Sequence, residues 1–343
     1  MTVAVLGVLL LNIAVSADNT KKVAARSQAT QLASLLPASD GVVAFDVRRF
    51  FDVALPKLLS ANQPMLNSFV TTLDEIKTNT GIDLRQFDSI AAGIMLKKAA
   101  NNKYDTEQVV IARGQFSSSA LIGVAKIAAN GKYRQVKAGE KVIYVFPAKA
   151  IAAQAKNQKA APKKTAPADK VLGQFPGEMA VSIIDANTLV FGSLPQVRST
   201  ITAKTVVDPE LIGFIGKRET AVISFAAKMP TGARAYLPLD NDELGRNIDS
   251  IRFIYGSMDV SGDSASLNLT ARTLENAQAA GLLQSLEGLQ LVGKAMLGGS
   301  KSADKQVYAR MIENAKLSVM GNELMFDLAV PQADIDVVIS SLK

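Results

Sequence analysis

The hydrophobic and polar positions of the chain follow two periods, one typical of strands and one typical of helices. Short apolar runs between turn residues, such as Ser89–Lys97 and Ile251–Ser261, predict strands. Apolar residues three and four positions apart predict helices, and Asn276–Leu297 is the longest such segment. The predicted strands are Val42–Val47, Ser89–Lys97, Glu107–Arg113, Tyr133–Lys137, Lys141–Phe146, Glu178–Asp185, Thr188–Gly192, Thr220–Lys228, Ile251–Ser261, Ser264–Thr273, Lys316–Met320 and Glu323–Val330.

Helices are predicted between these strands from apolar spacing and from capping residues. Both halves of the chain then have the order β-α-β-β-α-β-β-α, with one extra hairpin in the first half. This order predicts an α+β fold with two mainly antiparallel sheets and helices packed on one face, and it suggests an internal duplication. The predicted helices begin near Pro64, Ser117, Ser193, Asp242, Asn276 and Pro331.

The long helix Asn276–Leu297 is predicted to form the centre of the second core. Its stripe of apolar positions should face the preceding strands, with Leu286 fully buried and Glu287 in water. The inward positions are Ala279, Leu282, Leu283, Leu286, Leu289, Gly293, Met296 and Leu297.

The first residues predict export. Thr2–Val15 carries no charged side chain, Ala17 is small, and a polar segment begins at Asp18. A run of this length is short for a bilayer span and fits a secretory signal cleaved after Ala17; a retained anchor is the alternative. We therefore expect a signal peptide at 1–17, domains at 18–205 and 206–343, and no transmembrane helix in the mature chain, which would be periplasmic or secreted.

The formal net charge of +7 comes largely from one insert at 148–170, which holds six lysines against Asp169 alone. The insert is rich in Ala, Lys and Pro and contains no aromatic residue. Such a segment buries too little apolar surface to offset its ordering entropy, so it is predicted to be a disordered loop. Since it has no aromatic side chain to stack on bases, it does not predict nucleic-acid binding.

Cysteine, histidine and tryptophan are absent from all 343 residues. The chain therefore lacks disulfides, thiolate nucleophiles, iron–sulfur ligands and the commonest general base near neutral pH. Ser-Lys pairs, Asp/Glu pairs and oxygen-only metal sites are still compatible with the composition. The composition thus favours a protein that is not an enzyme, without excluding one.

The strings that resemble known sites have a simpler interpretation. Asp240–Gly245 matches part of a calcium loop, but two of the positions that need oxygen ligands hold Leu244 and Ile251. Gly298–Lys301 follows a helix, whereas a phosphate loop precedes one. Ser117-Ser118-Ser119 is a helix cap, and Ser340 with Lys343 is a chance Ser-x-x-Lys match at the terminus.

Two further kinds of string are also discounted. Asn268-Leu269-Thr270 matches a glycosylation acceptor but lies within a predicted strand. The carboxylate pairs Asp74/Glu75 and Asp334/Asp336 lie on predicted helix turns, with no apolar pocket nearby in sequence to raise a pKa. No residue is therefore predicted to be catalytic, to bind a cofactor or to bind a metal.

Several segments resemble a family of uncharacterised exported bacterial proteins, of the type found in acidobacterial genomes. The resemblance covers nearly all of the mature chain and implies export and folding as a unit. The family has no activity that could be carried over to a residue of this chain. The segments are Thr72–Lys77, Thr80–Leu84 with Phe87, Val109–Gly114, Lys132–Arg134, and Val292–Ser300 before Val307–Arg310.

Together, these observations favour a non-enzymatic envelope or secreted protein that is a binding or structural module. Its partner would be a protein, a peptide or a lipid of the envelope. A periplasmic carrier of an apolar ligand and a hydrolase with a carboxylate pair are the alternatives. A close, buried pair of carboxylates in a cleft would favour the hydrolase, and an open apolar groove would favour the carrier.

Overall fold

The chain divides into two units that are not contiguous in sequence. Among the described residues, the first contains 22–48 and Asn67–Ile212, and the second contains Arg49–Leu66 and the residues from Gly213 onward. The signal segment at 1–17, the insert at 148–170 and the acidic string at 240–245 lie outside the described residues. The computed structural model describes residues 22–98, 104–147, 177–218, 221–230, 247–299 and 302–341.

The helices and strands follow most of the predicted boundaries. Eight helices and twelve strands are labelled in the described ranges. The helices are α1 (Lys22–Ser34), α2 (Gln63–Thr80), α3 (Ser118–Ala128), α4 (Leu194–Thr202), α5 (Pro209–Ile215), α6 (Asn276–Leu297), α7 (Ala303–Asn314) and α8 (Gln332–Ser341). The strands are β1 (Gly41–Asp46), β2 (Phe87–Lys98), β3 (Tyr104–Gly114), β4 (Arg134–Ala138), β5 (Lys141–Pro147), β6 (Glu178–Asp185), β7 (Thr188–Gly192), β8 (Ile223–Lys228), β9 (Ile251–Ser261), β10 (Ser264–Thr273), β11 (Lys316–Met320) and β12 (Glu323–Pro331).

Local signals account for many of these boundaries. The Ser117 hydroxyl accepts a hydrogen bond from the backbone N–H of Ala120 and caps α3, as predicted. Gly262, at φ +53°, occupies the left-handed region that the tight β9–β10 turn requires. The order β-α-β-β-α-β-β-α is confirmed in outline; the helix predicted at 242–249 lies mostly outside the described residues.

Four helical segments were not predicted: α1, α5, α7 and the turns at 47–58. The last of these passes through a π-helical turn, Phe50–Ala54, before a short helix, Leu55–Leu58. Pro56 occupies the first turn of the short helix, where a missing N–H is tolerated. In α7 only Val307 is fully buried, so its apolar pattern is too sparse to identify it.

The strands of each unit pair in a similar order. The first unit has the order β1-β2-β3-β7-β6-β5-β4 and the second has β8-β9-β10-β12-β11. Every strand pair whose register is described is antiparallel within its unit. Without the β4–β5 hairpin of the first unit, the two orders correspond strand for strand. The α+β class with antiparallel strands is confirmed.

The first unit buries both faces of its strands. On one face, Ile122 of α3 packs in a cluster with Phe146, Val181 and Leu189. On the other face, Gln196 of α4 donates a hydrogen bond to Glu107 of β3, 3.1 Å away. Helices therefore lie on both faces of this unit, where one face was expected. The reason is that its central strands are apolar on both faces.

The second unit packs the first half of α6 against its strands. Ala279 is fully buried, and Leu282 joins a cluster with Ile251, Ala271 and Leu324. Leu286 only packs at the edge of this cluster and is partly buried. The prediction of a fully buried Leu286 was therefore wrong.

The second half of α6 packs against α7 instead of continuing across the strands. Gly293 approaches Ile312 of α7, and the side chain of Gln290 donates hydrogen bonds to the backbone carbonyls of Ile312 and Ala315. Leu289 and Met296, predicted to face inward, are 52% and 78% exposed. The inward stripe thus ends halfway along the helix.

Candidate functional site

The structure assigns capping and structural roles to most of the strings examined in the sequence. Ser117 caps α3, and Gly298 ends α6. Asn268-Leu269-Thr270 lies within β10, as predicted. Lys343 of the Ser-x-x-Lys match lies outside the described residues.

The carboxylate pairs on helix turns are held by cations or amides. Asp74 forms an exposed ion pair with Arg85 at 2.8 Å. Asp334 is buried and accepts hydrogen bonds from the Arg310 guanidinium, and Asp336 accepts one from Gln332. The contacts of Asp74 and Asp334 are ion pairs, and that of Asp336 is a hydrogen bond from a neutral amide.

A polar face in the second unit was not identified from the sequence as a site. Strand register places side chains of β9, β10 and β12 in rows on this face. One row joins Ser257, Asn268 and Asp327, and the next joins Tyr255 with Thr270. These residues line a pocket of about 400 Å³, which we call the polar pocket.

Residues that precede β8 form the wall of the polar pocket. The Phe214 ring stacks on the Tyr255 ring, with centroids 4.3 Å apart and planes 4° from parallel. Lys217 Nζ lies 4.4 Å from the centroid of the Tyr255 ring and donates a hydrogen bond to its hydroxyl at 2.6 Å. Arg218 also lines the pocket. The wall is therefore aromatic and cationic.

Glu323 is the most strongly held carboxylate of the polar pocket. It accepts hydrogen bonds from Arg272 Nε at 2.9 Å and Nη2 at 2.6 Å. Burial raises the pKa of the Glu323 carboxyl, but hydrogen bonds from Arg272 and Tyr255 and the nearby charge of Lys217 together lower it below its usual value. Glu323 is thus a carboxylate at neutral pH and has no proton to donate.

The carboxylates of the polar pocket do not have the electrostatics of a glycosidase catalytic pair. Asp327 lies on the same strand and face as Glu323, four positions further along, which separates their Cα atoms by about 13 Å. In catalytic pairs one carboxyl has a raised pKa, so that it can donate a proton, whereas the pKa of Glu323 is lowered. The ionised state of Glu323 therefore does not support a role as general acid.

A second candidate surface lies on the outer half of α6. Leu289, Val292 and Met296 are 52%, 55% and 78% exposed, and their spacing of three and four places them on one side of the helix. We call these three residues the α6 stripe. Leu291 is 71% exposed, but it lies about 200° around the helix from Leu289 and so outside the stripe. Large apolar side chains that are exposed next to one another often mark an interaction surface.

The described residues contain neither a metal-binding cluster nor a membrane-spanning helix. Among them, no group of three Asp or Glu side chains is placed to hold a metal ion. Across the same residues, no helix has the length and hydropathy needed to cross a bilayer.

Alternation in β10 was the signal that could have located the polar face. Asn268, Thr270 and Arg272 alternate with apolar residues, which is typical of a strand with one face in water. The pocket itself was not visible in the sequence, because its cations come from a segment about 50 residues earlier.

Comparison with known proteins yields only distant structural similarity. No protein-family model matches the chain, and no curated protein is significantly similar to it. Crystal form III of TP0453 matches with a TM-score of 0.43 and 12% identity, covering 91% of this chain and 98% of that one. Crystal form I of TP0453 matches with a TM-score of 0.41, also at 12% identity, covering 91% and 97%. A likeness of this degree has no bearing on function.

Proposed function

We propose that this protein is an exported, non-enzymatic binding module of the cell envelope, and that it docks a protein partner through the α6 stripe. The exposure of Leu289, Val292 and Met296 is the observation that carries this proposal. Complete burial of a fully exposed side chain of this kind gains about 1.5–3 kcal/mol, so a partner that covered these partly exposed side chains would gain about half of that or more for each.

Two further observations support the non-enzymatic part. The chain contains no His and no Cys. The carboxylates of the polar pocket are ion-paired and distant from each other. Export is supported by the uncharged segment Thr2–Val15 and the small residue Ala17.

Cross-linking in envelope fractions tests the docking surface. The triple variant Leu289→Ser, Val292→Ser and Met296→Ser should lose the partner that the unaltered protein retains. Leu291→Ser is the control, because it removes a leucine that is 71% exposed from another side of the same helix. Retention of the partner by the triple variant would contradict the proposal. Recovery with neutral phosphatidylcholine vesicles in place of a protein would redirect it to a lipid.

N-terminal sequencing of protein recovered from the envelope or medium tests export. The mature chain should begin at Asp18. Protein that stays in the cytoplasm with Met1 in place would refute export.

A further inference from the structure

The polar pocket of the second unit contains two cations with unused hydrogen-bond donors. Lys217 has three N–H donors, and it donates one hydrogen bond, to Tyr255. Its nearest carboxylate, Glu323, is 3.7 Å away, too far for a hydrogen bond. Arg218 lies at the same distance from Asp327. The Lys217 and Arg218 side chains are 46% and 56% exposed, so both can reach a ligand.

Each neighbouring carboxylate accepts a hydrogen bond from a donor other than these two cations. Glu323 accepts hydrogen bonds from Arg272, and Asp327 accepts one from the Asn268 amide. An anion that binds Lys217 and Arg218 would therefore break no hydrogen bond to a carboxylate. It would replace two loose ion pairs with charge-assisted hydrogen bonds.

The floor of the polar pocket offers uncharged polar groups. Ser257 and Thr270 line it, and neither hydroxyl hydrogen-bonds to another residue in the described part of the chain. Hydroxyls can donate and accept, so they suit a ligand that carries hydroxyl groups of its own. A volume of about 400 Å³ is at the small end of ligand sites and is sufficient for a single sugar ring.

We propose that the polar pocket binds a small polyhydroxylated oxyanion, such as a sugar acid or a sugar phosphate. Lys217 and Arg218 bind the anionic group, and Ser257, Asn268 and Thr270 face the hydroxyl groups. The carboxylates of Glu323 and Asp327 repel a second negative charge, which restricts the ligand to one anionic end. This site does not depend on a partner at the α6 stripe.

Calorimetric titration of the mature protein tests the proposal with three probes: D-glucuronate, glucose 6-phosphate and glucose. At least one of the two anionic sugars should bind. Glucose should bind more weakly than that sugar by a factor of about ten or more, because it lacks the charge. The two anionic probes distinguish a carboxylate from a phosphate as the preferred group. Arg218→Gln should weaken binding about tenfold or more. Lys305→Met, an exposed lysine of α7 outside the pocket, should leave binding unchanged.

Several outcomes would overturn the proposal. Failure of both anionic sugars to bind at about 10 mM would do so, as would equal binding by Arg218→Gln. Inorganic phosphate that binds as tightly as glucose 6-phosphate would refute the role of the hydroxyl groups. Lys217→Met removes the Tyr255 contact as well, so Arg218→Gln, at an exposed position, decides the result if Lys217→Met fails to fold.

Discussion

The two units share a strand order but differ in how their third strands are covered. In the first unit, Val109–Ala112 is apolar at every position, and Val109 and Ile111 are almost fully buried. In the second unit, β10 alternates between apolar and polar residues, and most of its side chains are only partly buried. Continuous apolar strands need cover on both faces, whereas alternating strands leave one face to water.

This difference shows that similar strand orders can present different surfaces. The first unit uses both faces for its core and has two more strands, β4 and β5, in its sheet. The second unit keeps one face polar and places the cations Lys217 and Arg218 beside it. Candidate binding groups are therefore concentrated in the less covered unit, as expected when function is added to a stable scaffold.

Leucine truncation in the two units gives the largest expected contrast. Leu189→Ala removes a side chain that is 6% exposed in the first unit and should lower the free energy of unfolding by about 2–5 kcal/mol. Leu269→Ala in β10 should cost about 1 kcal/mol, because part of that side chain is already in water. Denaturant melts of both variants measure the difference. Equal costs would mean that the second unit is as tightly packed as the first.

Truncation along α6 sharpens the contrast within the second unit. Leu282, at 3% exposure, belongs to the core cluster, and Leu289 is 52% exposed. Leu282→Ala should cost about 3 kcal/mol, whereas Leu289→Ala should cost about 0.5 kcal/mol. Thermal and chemical unfolding should give the same ranking. A larger cost at Leu289 would show that the α6 stripe is covered within the molecule.

Acid titration probes an ion-pair cluster of the first unit. Hydrogen bonds from Arg85 and Lys77 outweigh burial and lower the pKa of Asp83 to about 2. A carboxyl whose pKa is lowered on folding stabilises the protein above its unfolded pKa, and this contribution is lost as pH falls from about 4 through about 2. Asp83→Asn should lower the free energy of unfolding at neutral pH by roughly 1 kcal/mol, after allowance for solvent screening. It should also flatten the dependence of that free energy on pH between about 4 and about 2. An unchanged curve would show that the cluster adds nothing.

Two serines at helix starts in the first unit give the smallest expected effects. Ser117 accepts a hydrogen bond from Ala120 N–H, so Ser117→Ala should cost about 0.5–1 kcal/mol. Ser193 occupies the same position at α4, but its buried hydroxyl has no hydrogen-bond partner among the residues that the structure describes. Ser193→Ala should therefore be neutral or slightly stabilising. Melting temperatures of the pair are sufficient to test this, and a loss at Ser193 would reveal a partner for its hydroxyl.

The sequence by itself determined the twelve described strands, their order and the starts of several helices. Apolar runs bounded by turn residues placed β9 and β10 to the residue, and the cap at Ser117 placed the start of α3. These features depend on neighbours a few residues apart, so they are encoded where they occur. The absence of His and Cys also excluded catalytic sites that depend on an imidazole or a thiolate. Composition does not depend on folding, so the sequence was sufficient for this exclusion.

Only the tertiary structure decided which side chains are covered and which converge. The apolar pattern of α6 continues past Leu289, but cover by the strands ends near Leu286 and α7 packs against only part of the remaining face. Asn268 looked like an isolated sequence match until strand register placed it beside Ser257 and Asp327. Lys217 and Arg218 lie about 40 residues or more before all three of these residues in the sequence. Burial and convergence depend on contacts between distant residues, and a pattern of neighbouring residues does not specify those contacts.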